Sequence, residues 1–87
     1  MLYKKNEAMD YIFSDQTTLA VYDPESGDTH FFDETGIDIL NLLEKPKNVD
    51  SLLAELSKIY NASPDDMRED VIIFIMEVVA KKVVLEI

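Results

Sequence analysis

At 87 residues and 47% hydrophobic composition the chain can bury one core and has no room for a second. Eighteen acidic residues against eight basic ones leave a formal charge of −10, with the acids spread over the whole length and no more than two bases together, which opposes contact with nucleic-acid phosphates or an anionic membrane. With no cysteine and one histidine, disulfides, thiolate zinc sites, cysteine nucleophiles and a histidine-based metal site are excluded.

Met1-Leu-Tyr-Lys-Lys lacks the apolar region of a signal peptide, and the longest apolar run, Val71 to Met76, is too short to cross a bilayer. A cytoplasmic protein is the expectation. The first strand is expected over about residues 8–14, where Met9, Tyr11 and Phe13 alternate with Asp10 and Ile12. Ser14-Asp15-Gln16 breaks it, and a second β-rich run covers about 17–23. Asp23-Pro24-Glu25-Ser26-Gly27 is a strong reverse turn. Asp28, Thr29, His30, Phe31 and Phe32 then suit the second strand of a hairpin, over about 28–33. The result is a small antiparallel meander that needs something packed on one face.

Asp33 can cap the helix that follows, because a short carboxylate accepts the free amides of a first turn, and Glu34 favours the positive end of the helix dipole. That helix is expected over about 34–45, with Ile37, Leu40, Leu42 and Leu43 on its buried stripe and Pro46 ending it. Asn48 or Asp50 can cap a second helix over about 49–60, with Val49, Leu52, Leu53, Leu56, Ile59 and Tyr60 at helical spacing. Ser63-Pro64-Asp65-Asp66 reads as a helix start, with Ser63 as a side-chain cap, and the third helix runs over about 64–82. Val83 to Ile87 is β-prone and can form a last short strand or pack as an extended tail. A single domain over 1–87 is expected.

Two features can carry function. On a 3.6-residue wheel Met67, Val71, Phe74, Ile75 and Val78 make an ordinary core stripe of the third helix, but Ile72, Met76 and Val79 extend it round a second side and Ile73 adds more. Either the helix is enclosed on both sides or the surplus is a surface for a partner. The other feature is the third strand of the meander. Most edge strands stay in water, but one lying beside an apolar helix flanks a groove in which a peptide can add as a further strand. The peptide-binding candidates are therefore Asp28, Thr29, His30, Phe31 and Phe32 with Ile72, Met76 and Val79.

Nothing suggests chemistry. His30 reads as a strand residue with one ring face packed, since neither a partner nor a pocket is indicated for acid-base work. Asp65-Asp66 and Glu69-Asp70 lie in the first turns of a helix, where the dipole explains them, and they lack the spacing and glycine of a calcium loop. No catalytic residue, metal or cofactor is expected.

Val21-Tyr-Asp-Pro-Glu-Ser-Gly27, Phe32-Asp-Glu-Thr-Gly36, Ile39-Leu40, Val49-Asp-Ser-Leu52-Leu53, Asp70-Val71, Phe74-Ile75 and Val78 occur in an order and at intervals that resemble the PqqD family, the precursor peptide recognition elements named for coenzyme PQQ synthesis. The resemblance covers about residues 8–84. It implies an α+β, winged helix-turn-helix-like fold: a three-stranded antiparallel sheet followed by three helices, without catalytic activity. It also implies binding of the leader segment of a ribosomally made precursor peptide, which is presented to a modifying enzyme, often a radical SAM protein. In the family the leader adds to the third strand and rests on the third helix. This chain has Phe32-Asp33 where the family usually has Leu-Asn, and Lys82 where it often has glycine.

The alternative is a winged-helix DNA-binding transcriptional regulator, against which the acids opening the third helix argue. A small enzyme is a third class, opposed by the lack of any convergent acid, base or nucleophile. A homodimer through the free strand edge is a further expectation.

Overall fold

The computed structural model describes all of residues 1–87. In chain order its elements are β1 (Tyr3–Lys5), β2 (Asp10–Phe13), β3 (Leu19–Tyr22), β4 (Thr29–Phe32), α1 (Glu34–Leu42), α2 (Val49–Tyr60), α3 (Pro64–Ala80) and β5 (Val84–Glu86). The antiparallel sheet β2-β3-β4 followed by three helices is an α+β fold of winged-helix type. Its register pairs Tyr11 with Val21 and Val21 with His30, and likewise Phe13 with Leu19 and Leu19 with Phe32. Those six side chains share the inner face, where Leu19, Val21 and Phe32 join the core.

Sequence pattern does not reveal β1. It forms because its backbone is satisfied from both sides. On one side it pairs antiparallel with β5, placing Tyr3 opposite Glu86 and Lys5 opposite Val84. On the other, the Tyr3 amide donates to the Lys47 carbonyl (2.8 Å) and the Lys5 amide to the Leu43 carbonyl (2.7 Å). Of the two paths open to the C-terminal tail, the chain takes the strand.

Local chemistry sets the helix ends, although the Ser63 cap and the ends of α1 and α3 depart from expectation. Asp33 caps α1 by accepting the Gly36 amide at 3.0 Å, and Asn48 caps α2 by accepting the Ser51 amide at 2.8 Å. Asn61, with φ 51°, closes α2 in the left-handed region that asparagine tolerates. Ser63 stands at the α3 start and Pro64 in its first turn, but the Ser63 hydroxyl makes no capping bond. The Asp66 amide donates instead to the Ser63 carbonyl at 3.1 Å, so the turn is closed by backbone and the side chain is not needed.

The C-terminus of α3 falls at Ala80, two residues short of the expected end, because Lys82 adopts φ 62°. The Val83 amide then donates to Val78 and the Lys82 amide to Val79, both at 3.0 Å, while Val78 and Val83 bury their side chains together. This is the Schellman turn, whose left-handed residue is usually glycine.

Sixteen buried apolar residues make one core cluster, including Ile37, Ile39, Leu40 and Leu43 of α1, Leu52, Leu53 and Leu56 of α2, and Val71, Ile75 and Val78 of α3. The apolar stripe of α2 outruns its buried part, since Ile59 and Tyr60 are exposed. No helix is long and apolar enough to cross a membrane.

Candidate functional site

The hairpin that delivers β4 is fixed by its own turn. Asp23 Oδ1 accepts from the Glu25 amide at 2.9 Å and the Ser26 amide at 3.3 Å, and Gly27 supplies φ 81°. The Glu25 amide, the strongest influence, holds the Asp23 carboxyl below the usual carboxylate range, and the Ser26 bonds add to this.

β4 is an edge strand, and which of its groups are free follows from the ladder. Hydrogen-bonded and non-bonded pairs alternate across antiparallel strands. The Asp23 amide donates to the Asp28 carbonyl at 2.8 Å, so His30 and Phe32 also turn their backbone groups toward β3. The N–H and C=O groups of Thr29 and Phe31 therefore face outward, ready to pair with an added strand.

A second wall stands near this edge. The Phe32 ring meets Phe74 of α3 edge-on, with centroids 5.8 Å apart. Gly36 makes room for this contact: a Cβ there would sit 3.0 Å from Phe32 Cβ and 3.4 Å from Phe74 Cε1. The Thr-Gly corner of the sequence is thus the place where strand, α1 and α3 converge.

Asp28 lies at the hairpin end, Thr29 and Phe31 on the outer face of β4, and His30 and Phe32 on its inner face. At 3.6 residues per turn Ile72 and Met76 stand about 160° round α3 from Phe74, and both are exposed, whereas Val79 packs partly against the core. Nearer to Phe74 are Ile73 at about 100°, Glu77 at about 60° and Asp70 at about 40° round the helix. Phe74, Ile73 and Gly36 were not among the residues singled out for binding. Phe74 was assigned to the core stripe, and only its contact with Phe32, which sequence does not show, brings it to the edge.

Around the end where β4 runs into α1, Thr35, Ile39, Leu56, Tyr60, Met67, Asp70 and Val71 line a largely apolar cleft of about 210 Å³. The Tyr60 hydroxyl donates to Asp38 there, and its pKa is raised, chiefly by burial and then by that carboxylate. No group of His, Asp or Glu side chains converges as a metal site would require.

The electrostatics are uneven. Between Asn6 and Glu44 there are ten acidic residues and no lysine or arginine, while the rest of the chain balances eight acids against eight bases. The whole formal charge thus sits on the wing sheet and α1. Lys4 and Lys5 reach over to pair with Glu7 and Glu44, at 3.1 and 3.6 Å.

Comparison with known proteins agrees with the architecture. The solved structure of TbiB1 in complex with the TbiA(beta) leader peptide superposes with a TM-score of 0.81, covering 97% of this chain and 96% of that one. The two are 17% identical, so the likeness speaks for the fold. No curated protein matches the sequence. The family described as coenzyme PQQ synthesis protein D (PqqD) matches residues 18–84, which span β3, β4, all three helices and the start of β5. The chain belongs to the PqqD family.

Proposed function

We propose that this chain is a non-catalytic module that binds the leader segment of a ribosomally made precursor peptide and presents it to a modifying enzyme. The single observation that carries the reading is the free edge of β4, with the outward N–H and C=O groups of Thr29 and Phe31 beside Phe74, in a chain of the PqqD family. An added strand makes main-chain bonds there, and its alternate side chains turn toward α3. The likeness to TbiB1 supports the same reading, since that protein is described with a leader peptide.

The residues assigned to the peptide are Asp28 to Phe32, with Ile73 and Phe74 as the nearest part of the α3 wall. Ile72, Met76 and Val79 come into contact only as the peptide passes further round the helix. A radical SAM protein is the modifying enzyme that the family implies, and the cytoplasm is the compartment that suits a cysteine-free chain. Two copies pairing through β4 would be a competing use of the same edge. Duplex DNA is disfavoured because α3, the counterpart of a recognition helix, opens with the exposed acids Asp65, Asp66, Glu69 and Asp70.

The test is an amide-shift titration with synthetic leaders of precursors encoded beside the gene. Shifts should concentrate at Thr29, Phe31 and the α3 residues near Phe74. Ile73→Glu should weaken binding by roughly 1–3 kcal/mol, because a carboxylate must be desolvated against the peptide, and Met76→Glu should weaken it less. Shifts confined to β2 or α2 would refute the assignment.

A further inference from the structure

Resting on that reading, we propose that the peptide taken by this chain is cationic at the ends of its added strand and apolar between them. The selection comes from where the charge lies along β4. Across the outer face of the sheet, Ile12, Ala20 and Phe31 form one row, with Ile12 58% and Phe31 70% exposed. A strand added beyond β4 continues that row with its own side chain, in contact with Phe31, so an apolar residue belongs there.

Both ends of the strand are acidic. Asp28 stands at the hairpin end, with Asp10 two strands away at the same end of the sheet, while Asp33 and Glu34 follow the other end at the joint with α1. The distance from Asp28 to Asp33 is about 17 Å of extended chain, the reach of five residues. None of these four carboxylates is in an ion pair. On α3, Asp70 and Glu77 flank Phe74 along the same strip and are also unpaired. No lysine or arginine occurs between Asn6 and Glu44, and the bases that reach this region from elsewhere, Lys4, Lys5 and Lys82, act on Glu7, Glu44 and Asp23.

A second copy of the chain is the wrong occupant on the same grounds. Pairing two β4 edges would bring two regions of charge −10 together. A cationic segment gains from that field both in encounter rate and in discrimination against acidic competitors.

The experiment uses the full chain and three capped hexapeptides of one strand-forming core: acetyl-Lys-Thr-Val-Thr-Val-Lys-amide and the versions with both lysines replaced by glutamine or by glutamate. Amide shifts at Thr29 and Phe31 report binding at low salt and at about 0.5 M salt, where screening is nearly complete within a few ångströms. The lysine probe should bind about tenfold or more tightly than the glutamate probe at low salt, with the glutamine probe between, and the ratio should fall to about twofold or less at high salt. Neutralising the strand ends with Asp28→Asn and Glu34→Gln should cut the low-salt ratio several-fold. Neutralising Glu69→Gln and Glu86→Gln, away from the strand, should change it much less. Equal affinities at low salt, or an equal effect of the two double variants, would overturn the charge selection while leaving strand addition in place. If no probe moves the β4 amides at millimolar concentration, strand addition itself fails.

Discussion

The protein contains two small antiparallel β assemblies, and they differ in how their edges are treated. β1 is closed on both sides. Asn6 and Ile87 amides donate across to the Val83 and Leu2 carbonyls, each at 2.8 Å, while the opposite edge of β1 is held by Leu43 and Lys47. β4 is closed on one side only and carries the exposed Phe31. Residue preference does not separate them, since both strands are aromatic and polar. The difference is that three of the four outward groups of β1, both those of Tyr3 and the N–H of Lys5, have a partner within the chain, and those of Thr29 and Phe31 have none, which marks one strand as structural and the other as available.

Substitution should divide the two sharply. Val84→Asp places a charge at a fully buried site of the closed ribbon and should cost about 3–5 kcal/mol, enough to unfold much of the population. Phe31→Asp on the open strand should shift stability by less than about 0.5 kcal/mol while reducing peptide binding at least as much as Ile73→Glu. Urea unfolding and an amide-shift titration read the two effects separately. Comparable destabilisation by both would erase the distinction between the strands.

Gly36→Ala tests whether the open strand depends on its backing. The added methyl would press on Phe32 Cβ at 3.0 Å and on Phe74, at a cost of about 1–3 kcal/mol in denaturant unfolding and with altered shifts at Phe74. The helix starts give a smaller, graded comparison. Asp33→Ala, at the joint of β4 and α1, and Asn48→Ala should each cost about 1 kcal/mol, whereas Ser63→Ala should be close to neutral because its hydroxyl caps nothing.

The smallest expected effect is a pH dependence at the hairpin. The folded-state pKa of Asp23 is depressed, so its contribution to stability is present above its unfolded value near 4 and is lost as pH falls through the folded value. Thermal melts should show this acid-side loss shrinking in Asp23→Asn. The same variant should leave the ribbon amides of β1 and β5 unchanged.

What could be read in the sequence was mostly what is decided locally. The caps at Asp33 and Asn48, the Asp23 turn and the periodicity of three helices each depend on residues a few positions apart. β4 was legible for the same reason, as a β-branched and aromatic run following that turn. β1 was not, because Tyr3-Lys4-Lys5 has no alternation of its own and becomes a strand only by meeting the far end of the chain. Phe74 was recognised as a core residue, but its place beside the β4 edge depends on the bare backbone of Gly36, which a helical wheel does not represent. The charge division was not read from the sequence, because the acids are spread over the whole length and only the lack of bases sets residues 6–44 apart, and its meaning required knowing that they surround a free edge.

The pairing of β1 with β5 also fixes where attachments can go. Leu2 and Ile87 exchange backbone hydrogen bonds, so anything joined to either end of this module departs from the same spot. Tyr11 of β2 donates its hydroxyl to the Asn6 carbonyl at 2.6 Å, which puts the ribbon on the β2 side of the wing, across the sheet from β4. A tethered enzyme could therefore be fused at either terminus without covering the free edge of β4. Its linker would need to span the sheet, and the local concentration of a bound peptide at the enzyme would be set by that linker's length.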